Sequence, residues 1–210
     1  MAADPQLVHA WLDARSVARK LPKPVAESGG FRVDTHSETE IRRWVFPDVV
    51  EGISRLSQTL HEPRHLIKVC ATAEDLIAVL PPAWIVEGGR WFMALDADRQ
   101  ALGPLPAAYR LERSREGRVS KVEIRTGGAE LVATGFAAET ADAFVYDRIE
   151  TDVRHRRRGL ARAVMEALGS CRQSRSARQL LMATAEGERL YSSLGWRKLS
   201  TYSTASLPEI

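Results

Sequence analysis

Cysteines and long apolar runs are both scarce in this sequence. The 210 residues include only two cysteines, Cys70 and Cys171, which lie too far apart along the chain to indicate a disulfide framework or a zinc site. No apolar stretch approaches the roughly 20 residues of a membrane-spanning helix, and the N-terminus lacks the basic and then apolar pattern of a secretory signal. We therefore expect a cytoplasmic protein with reduced thiols and no membrane partner.

Charge of one sign is also nearly absent, because 30 Lys and Arg residues face 27 Asp and Glu residues and leave a formal net charge of +3. This balance argues against a nucleic-acid partner, and the histidines show no metal-ligand spacing, so no metal is expected. The basic residues are nevertheless concentrated, since residues 148–178 include nine arginines and only three acidic residues. A local basic patch of this kind favours a small polyanionic ligand.

The second half of the sequence has a clear order of predicted elements. They are strands at 118–125, 130–138 and 144–151, a helix at 159–170, a strand at 179–184, a helix at 186–194, and a final hairpin or edge strands at 196–199 and 201–204. Alternating apolar residues indicate the strands, and apolar residues at helical spacing indicate the helices. Gly127-Gly128 is typical of a hairpin turn, and Gly195 of the residue that closes a helix.

The first hundred residues are less regular. Strands are predicted near 31–35, 65–71 and 90–95. Ser37-x-x-Glu40 and Thr72-x-x-Asp75 resemble helix starts, so each predicts a helix directly after it. Gly103-Pro-Leu-Pro106 is the best candidate for a domain boundary. No internal repeat is visible, and we expect two regions, residues 1–105 and residues 106–210.

A glycine turn in the second half has the features of a phosphate site. Arg154-His-Arg-Arg-Arg-Gly-Leu-Ala-Arg-Ala163 lies between a predicted strand and a predicted helix. A helix that begins directly after a glycine turn presents free backbone N–H groups and the positive end of its dipole. Arginines beside the turn can add charge-assisted contacts to phosphate oxygens. We therefore predict that this turn binds a pyrophosphate-containing cofactor.

Two motifs in this half resemble those of the GNAT superfamily of acyl-CoA-dependent N-acetyltransferases. Arg156-Arg-Arg-Gly-Leu-Ala161 is similar to the family's Arg/Gln-x-x-Gly-x-Gly/Ala cofactor motif. Leu190-Tyr-Ser-Ser-Leu-Gly-Trp196 is similar to its Leu-Tyr-x-x-Leu-Gly-Phe/Trp motif. The resemblance covers roughly residues 118–204. It implies an α/β (α+β) GNAT fold, in which a mixed, mostly antiparallel, twisted sheet is splayed at the cofactor site and flanked by helices.

The resemblance also implies functional residues. Backbone groups at the turn would bind the pyrophosphate of acetyl-CoA, the cosubstrate, and the end of the preceding strand would pair with its pantetheine arm. The implied cofactor-binding residues are Ile149, Thr151, Val153, Arg156, Arg157, Arg158, Gly159, Leu160, Ala161, Arg162 and Thr184. Tyr191 matches the tyrosine that acts as general acid toward the CoA thiolate. Asp147 and Glu150 are candidate bases, with Glu150 preferred. In a regular strand they would face opposite sides, so at most one can face the site.

The sequence also departs from the family pattern. Thr184 stands where many members have an asparagine, and only about five residues separate the strand-like residues 109–112 from the strand at 118, where the family inserts two helices. Residues 1–105 therefore either complete the acceptor side or form an accessory domain, and residues 31–44 resemble the family's opening strand and helix. The leading hypothesis is direct acetyl transfer to a small-molecule or protein amine in a ternary complex, with a homodimer as an option. The alternative is a catalytically degenerate acyl-CoA-binding module.

Overall fold

A computed structural model describes residues 2–96 and 105–209. The helices are Pro5–Ala18 (α1), Glu51–Thr59 (α2), Ala73–Ile77 (α3), Leu160–Gly169 (α4) and Ala185–Ser193 (α5). The strands are Val25–Glu27 (β1), Gly30–Asp34 (β2), Arg42–Phe46 (β3), His65–Val69 (β4), Ile85–Leu95 (β5), Tyr109–Glu116 (β6), Val119–Thr126 (β7), Leu131–Glu139 (β8), Ala143–Thr151 (β9), Arg178–Thr184 (β10) and Arg197–Ser206 (β11). Within these ranges, no helix has the length and apolar character needed to cross a bilayer.

The described strands form one 11-stranded sheet in the order β1-β2-β3-β4-β11-β5-β10-β9-β8-β7-β6. Only the β3–β4 and β9–β10 pairs are parallel, and each is joined through a helix, α2 or α4. Apart from β6 at one edge, this order is symmetric about the β11–β5 pair, so that β1–β4 correspond to β7–β10. The last strand of each half, β5 or β11, pairs with a strand of the other half. The two halves therefore repeat one topology that the sequence does not reveal.

Helices cover both faces of the sheet. The helices α4 and α5 pack over β7–β10 on one face, in a core that includes Phe144, Tyr146 and Leu181. The helices α2 and α3 cover β3 and β4 on the same face. The long N-terminal helix α1 covers the opposite face of the sheet, which we call the α1 face. There Trp11 packs against strand residues that alternate along the chain with those facing the other four helices. The sheet is thus buried at its centre on both sides.

Most predictions for the second half are confirmed. The meander β7–β8–β9, the helix α4 and the parallel strand β10 lie where the periodicity placed them. Gly195 has φ +84° directly after the C-cap of α5, as predicted for a residue that closes a helix. The final hairpin is wrong, because residues 197–206 form one central strand, β11. Register shifts in its pairing with β5 interrupt its alternation and make it resemble two short strands.

The helix predicted after Glu40 is also wrong. Ser37 does accept a hydrogen bond from the Glu40 amide at 3.0 Å, as in a capping box. The carboxylate of Glu40, however, binds Arg43 and Lys68 instead of returning to the backbone. Residues 42–46 then form β3 between β2 and β4, so 31–46 is a hairpin rather than a strand and helix.

Other predictions for the first half are confirmed or concern residues that the structure does not describe. The strands near 65–71 and 90–95 are present, and Thr72 caps α3 by accepting from the Asp75 amide. The proposed boundary at 103–106 lies mostly outside the described residues. The strands β6 and β7 form a hairpin at Gly117, so no helices separate them. The helix α1, which the sequence did not predict, packs on β8 and β9 instead.

Candidate active site

A β-bulge opens the sheet between β9 and β10. The two strands pair in parallel from Ala143 and Arg178 only as far as Tyr146 and Leu181, although β9 continues to Thr151. Just beyond this point Arg148 has φ +52°, and β9 has one residue more than β8 between the pairs Phe136–Asp147 and Thr134–Glu150. An extra residue bends its strand and increases its twist. The last part of β9 therefore diverges from β10 and leaves a gap.

The bulge also changes which way the candidate bases face. Asp147 lies on the α1 face, where it binds Arg19 of α1. Ile149 faces α4, because a Cβ added at Gly135 would meet Ile149 and Val164 together. Alternation then places Glu150 back on the α1 face. The expectation that Asp147 and Glu150 face opposite sides is wrong, since the extra residue shifts the alternation by one.

Asp147 is fully engaged in ion pairs. It accepts hydrogen bonds from Arg19 Nε at 2.6 Å and from Arg19 Nη2 at 2.9 Å, and Arg15 and Arg148 lie within 3.8 Å. Burial raises the pKa of Asp147, but the hydrogen bond from Arg19 and the three positive charges outweigh it, and the pKa lies below its ordinary value. A carboxylate held in this way is a poor base. Glu150, in contrast, is exposed and forms no ion pair within the described chain.

The turn before α4 exposes a row of free backbone amides. Arg157 and Gly159 have φ of +62° and +78°, and Gly159 is the N-cap of α4 without a side-chain cap. Within the described residues, the amides from 157 to 162 donate no hydrogen bond. Left-handed residues next to right-handed ones turn successive N–H groups toward one point, which suits an anion. A Cβ added at Gly159 would meet nothing within 4 Å, so the turn borders open space.

Most of the neighbouring arginines already have partners. Arg156 binds Glu186 at 3.0 Å, and Arg154 binds Glu130 and Asp152. Arg158 donates to the hydroxyl of Tyr109, which also bonds to His155. Arg157 and Arg162 have no ion pair within the described residues and are exposed. The backbone amides, together with these two side chains, are thus the free donors of the turn.

The gap and the turn are parts of one cleft of about 1120 Å³. It is lined by Ile149, Glu150, Thr151, His155, Arg156, Arg157, Gly159, Leu160, Ala161, Arg162, Thr184, Ala185, Glu186, Gly187, Arg189, Leu190, Tyr191 and Ser193. Every implied cofactor-binding residue is in this lining except two, and so are Glu150 and Tyr191, whereas Asp147 is not. Val153 is exposed in a short 3₁₀ turn, and Arg158 is turned toward Tyr109.

Tyr191 borders the cleft from α5. Its side chain is largely buried and lies against Trp196, with ring centroids 6.3 Å apart. Gly187 makes room for the ring, because a Cβ there would come within 2.9 Å of it. Burial raises the pKa of Tyr191 to about 12, so its hydroxyl is protonated at neutral pH. The residue can therefore donate a hydrogen bond into the cleft.

Thr184 and Thr151 have different local roles. The Thr184 hydroxyl caps α5 by accepting from the Gly187 amide at 3.2 Å, so this departure from the family's asparagine has a structural function. The hydroxyl of Thr151 is buried in the cleft wall without a partner in the described chain. A buried polar atom without a partner is costly, and a ligand with polar groups would satisfy it. The cleft thus fits a long ligand with phosphates at one end.

Sequence reasoning missed several lining residues. Arg189 on α5 is exposed and lines the cleft, and Glu186 forms an ion pair with Arg156. The spacing of α5 places Glu186 and Arg189 one turn apart, but the sequence does not show that α5 faces α4 across a gap. No group of three or more potential metal ligands occurs within residues 2–96 and 105–209.

Comparison with known proteins supports the fold. No protein-family model matches the sequence, and no curated protein matches it. Solved structures do match. A GCN5-related N-acetyltransferase from Kribbella flavida is 13% identical over 100% of this chain and 97% of its own, with a TM-score of 0.67. One from Sphaerobacter thermophilus is 13% identical over 100% and 96%, with a TM-score of 0.59.

A third solved structure also matches. A tandem GNAT protein from the clavulanic acid biosynthesis pathway is 11% identical and aligns over 100% of this chain and 98% of its own, with a TM-score of 0.55. At these identities the likeness concerns the fold alone. The chain therefore has the GNAT fold, with one mostly antiparallel sheet flanked by helices, and the predicted fold class is confirmed.

Proposed function

We propose that this protein is an N-acetyltransferase that transfers the acetyl group of acetyl-CoA to an amine by direct attack. The observation that carries the proposal is the combination, in one cleft, of a splayed strand end, six free backbone amides at a glycine turn, and a protonated tyrosine. The GNAT fold of the structural neighbours supports it.

The residues available fit acetyl-CoA. The amides of residues 157–162 and the side chains of Arg157 and Arg162 would hold the pyrophosphate. The free backbone edge of β9 at Ile149 and Thr151 would pair with the amides of the pantetheine arm, as a sheet edge pairs with an added strand. When bound, acetyl-CoA supplies the acetyl group as a thioester.

The chain's own residues supply the proton transfers. Glu150 has no ion-pair partner among the described residues, so it can accept the proton that the acceptor amine must lose before it attacks. As the C–N bond forms and the C–S bond breaks, Tyr191 donates to the leaving sulfur and is later reprotonated from solvent. Asp147 is excluded as the base, because three arginines keep it charged and occupied. Its role is to anchor α1. Residues 1–105 contribute this helix and β5 to the acceptor side.

The test is acetyl-CoA binding by calorimetry, followed by CoA release assayed with a panel of amines. We expect the wild type to bind acetyl-CoA and to release CoA with at least one amine. Glu150→Gln should reduce kcat/KM by about 100-fold at neutral pH without changing the Kd for acetyl-CoA. Glu74→Gln, on the surface of α3, is the matched control and should behave as wild type. Absence of acetyl-CoA binding would refute the proposal, and binding without turnover would favour the degenerate module.

A further inference from the structure

The α1 face of the sheet holds a group of positive charges that the proposed chemistry does not use. We call Arg15, Lys68 and Arg90 the basic cluster. Arg15 belongs to α1 itself. Lys68 lies between two β4 residues that pack on the opposite face, so it points toward α1. Arg90 pairs across β5–β11 with Tyr202, and Tyr202 packs against Trp11 of α1 at 6.1 Å. Directly opposed residues share a face, so all three side chains lie on the α1 face. Burial lowers the pKa of Lys68, and the nearby charges of Arg15 and Arg90 lower it further.

This cluster has too few carboxylates for its cations. Lys68 binds Glu40 at 2.9 Å, but Glu40 also binds Arg43. Arg15 lies 3.8 Å from Asp147, whose oxygens already accept from Arg19, and within the described residues Arg15 makes no hydrogen bond. Its side chain is only 16% exposed. Its guanidinium lies over the Trp11 ring, with Cζ 5.5 Å from the centroid, and it shares Asp147 with Arg19 and Arg148. One carboxylate therefore faces three guanidinium groups, and the charge of Arg15 is only partly neutralised.

Arg90 differs from the other two cations of the cluster, which each have a carboxylate partner. Its side chain is exposed, and it forms no ion pair with the part of the chain that the structure describes. It pairs with Thr184 across β5–β10, and Thr184 lines the cofactor cleft. The uncovered end of the basic cluster is therefore next to the cleft.

Glu150 connects this cluster with the reacting end of the cleft. It lines the cleft and faces the α1 side of the sheet, where its charge helps to raise the pKa of Arg19, one turn after Arg15 on α1. A ligand on the α1 face would therefore have the proposed base on one side and Arg15 and Arg90 on the other. An amine that carries an anionic group matches this arrangement of one carboxylate, the partly neutralised guanidinium of Arg15 and the guanidinium of Arg90.

We propose that the acceptor is a small amine that also bears a carboxylate, such as an amino acid, with the carboxylate bound by Arg15 and Arg90 and the amine directed at Glu150. This inference rests on the proposed acetyl transfer and names its substrate class. Lys68 contributes charge while Glu40 holds it in place. The ligand must be small, because α1 packs on the sheet and leaves Arg15 nearly buried.

The experiment compares amino acids with their amides, which keep the amine and lose the negative charge. In the CoA-release assay, the wild type should prefer at least one amino acid over its amide by about 10- to 100-fold in kcat/KM. Arg90→Gln should raise KM for that amino acid by a similar factor and leave KM for the amide and for acetyl-CoA unchanged. Arg110→Gln, on the distant edge strand β6, is the control and should change none of these values. Equal use of amino acids and amides would overturn the inference.

A binding measurement covers the case in which no amine reacts. In calorimetry with saturating CoA, an N-acetyl amino acid should bind at least about 10-fold more tightly than its N-acetyl amide, and Arg90→Gln should remove the difference. If no N-acetyl amino acid shows this preference, the inference is wrong. The proposed function is tested separately, because it fails only if acetyl-CoA does not bind or no amine is acetylated.

Discussion

The two parallel strand-helix-strand units of the sheet share a topology and differ at the end of their first strand. In the C-terminal unit, pairing between β9 and β10 stops at Tyr146 and Leu181, and the bulge at Arg148 opens a gap. In the N-terminal unit, β3 pairs with β4 along its whole length to Phe46 and Val69. The Cys70 amide extends this pairing with a hydrogen bond to Phe46 O at 2.9 Å. The C-terminal unit therefore has a gap between its two parallel strands, and the β3–β4 pair has none.

The first turns of α4 and α2 also differ, because the first borders open space and the second does not. Gly159 borders open space, whereas a Cβ at Gly52, in the first turn of α2, would lie 1.8 Å from the Ser28 carbonyl oxygen. The start of α2 is thus packed against the β1–β2 turn, and Glu51 adds a negative charge there. Topology alone therefore does not make an anion site. An unpaired strand end and an uncovered helix start are also needed.

The largest expected effect comes from blocking the free backbone amides at the start of α4. Gly159→Glu places a carboxylate among the free amides, so we expect the Kd for acetyl-CoA to rise at least about 100-fold. Calorimetry on the wild type should give one site per chain. Gly127→Glu, at the β7–β8 turn outside the cleft, is the control. A second site in the wild type, or tight binding by Gly159→Glu, would show that the N-terminal unit also binds and would break the comparison.

The next prediction concerns the ion pairs of Asp147 on β9, which hold α1 on the C-terminal unit. Asp147→Asn leaves Arg15 and Arg19 without their carboxylate, and we expect the free energy of unfolding to fall by about 3 kcal/mol. Because the folded-state pKa of Asp147 is lowered, its contribution is present above the unfolded-state pKa and is lost as the pH falls through the folded value. Urea unfolding at neutral and acidic pH measures the loss of stability in the variant and the pH dependence of the wild type. Asp142→Asn, in an exposed turn, should change little, and an equally stable Asp147→Asn would contradict the anchoring role.

A smaller difference is expected between two alanine substitutions. Gly52→Ala forces a Cβ onto a backbone oxygen and should cost about 2 kcal/mol of stability, with no change in the Kd for acetyl-CoA. Gly159→Ala meets no atom and carries only the strain of its positive φ, about 1 kcal/mol. Urea unfolding of both variants measures the contrast. If Gly159→Ala lowered the free energy of unfolding more than Gly52→Ala does, the start of α2 would not be the more tightly packed of the two helix starts.

The smallest expected effect concerns the pH dependence of the tyrosine. Burial raises the pKa of Tyr191 to about 12, so its protonated form persists well above neutral pH. Tyr191→Phe should therefore lower kcat by about 10-fold, and this ratio of wild type to variant should stay the same from pH 7 to pH 10. The Kd for acetyl-CoA should not change. A ratio between wild type and variant that disappears between pH 8 and pH 10 would mean that the hydroxyl titrates there and is not buried as described.

Local patterns predicted much of the C-terminal unit. Alternation placed β7, β8 and β9, helical spacing placed α4, and Gly195 ended α5, because each depends on neighbours within one element. The turn at Gly159 and the tyrosine on α5 were found through motifs. The N-terminal half was predicted less well. The apparent capping box at Ser37 was overridden when Glu40 bound Arg43 and Lys68, and β3 formed between two other strands.

The sequence by itself determined that a glycine turn between a strand and a helix leaves backbone amides free, because that depends on adjacent residues alone. It also determined the order of the elements from β7 to α5. Only the tertiary structure decided that Asp147 and Glu150 face the same side, since the bulge depends on pairing with β8. The repeated topology and the basic cluster likewise depend on contacts between distant residues. The strand β11, for example, pairs with β4 and β5, from which it is separated by about half of the chain or more.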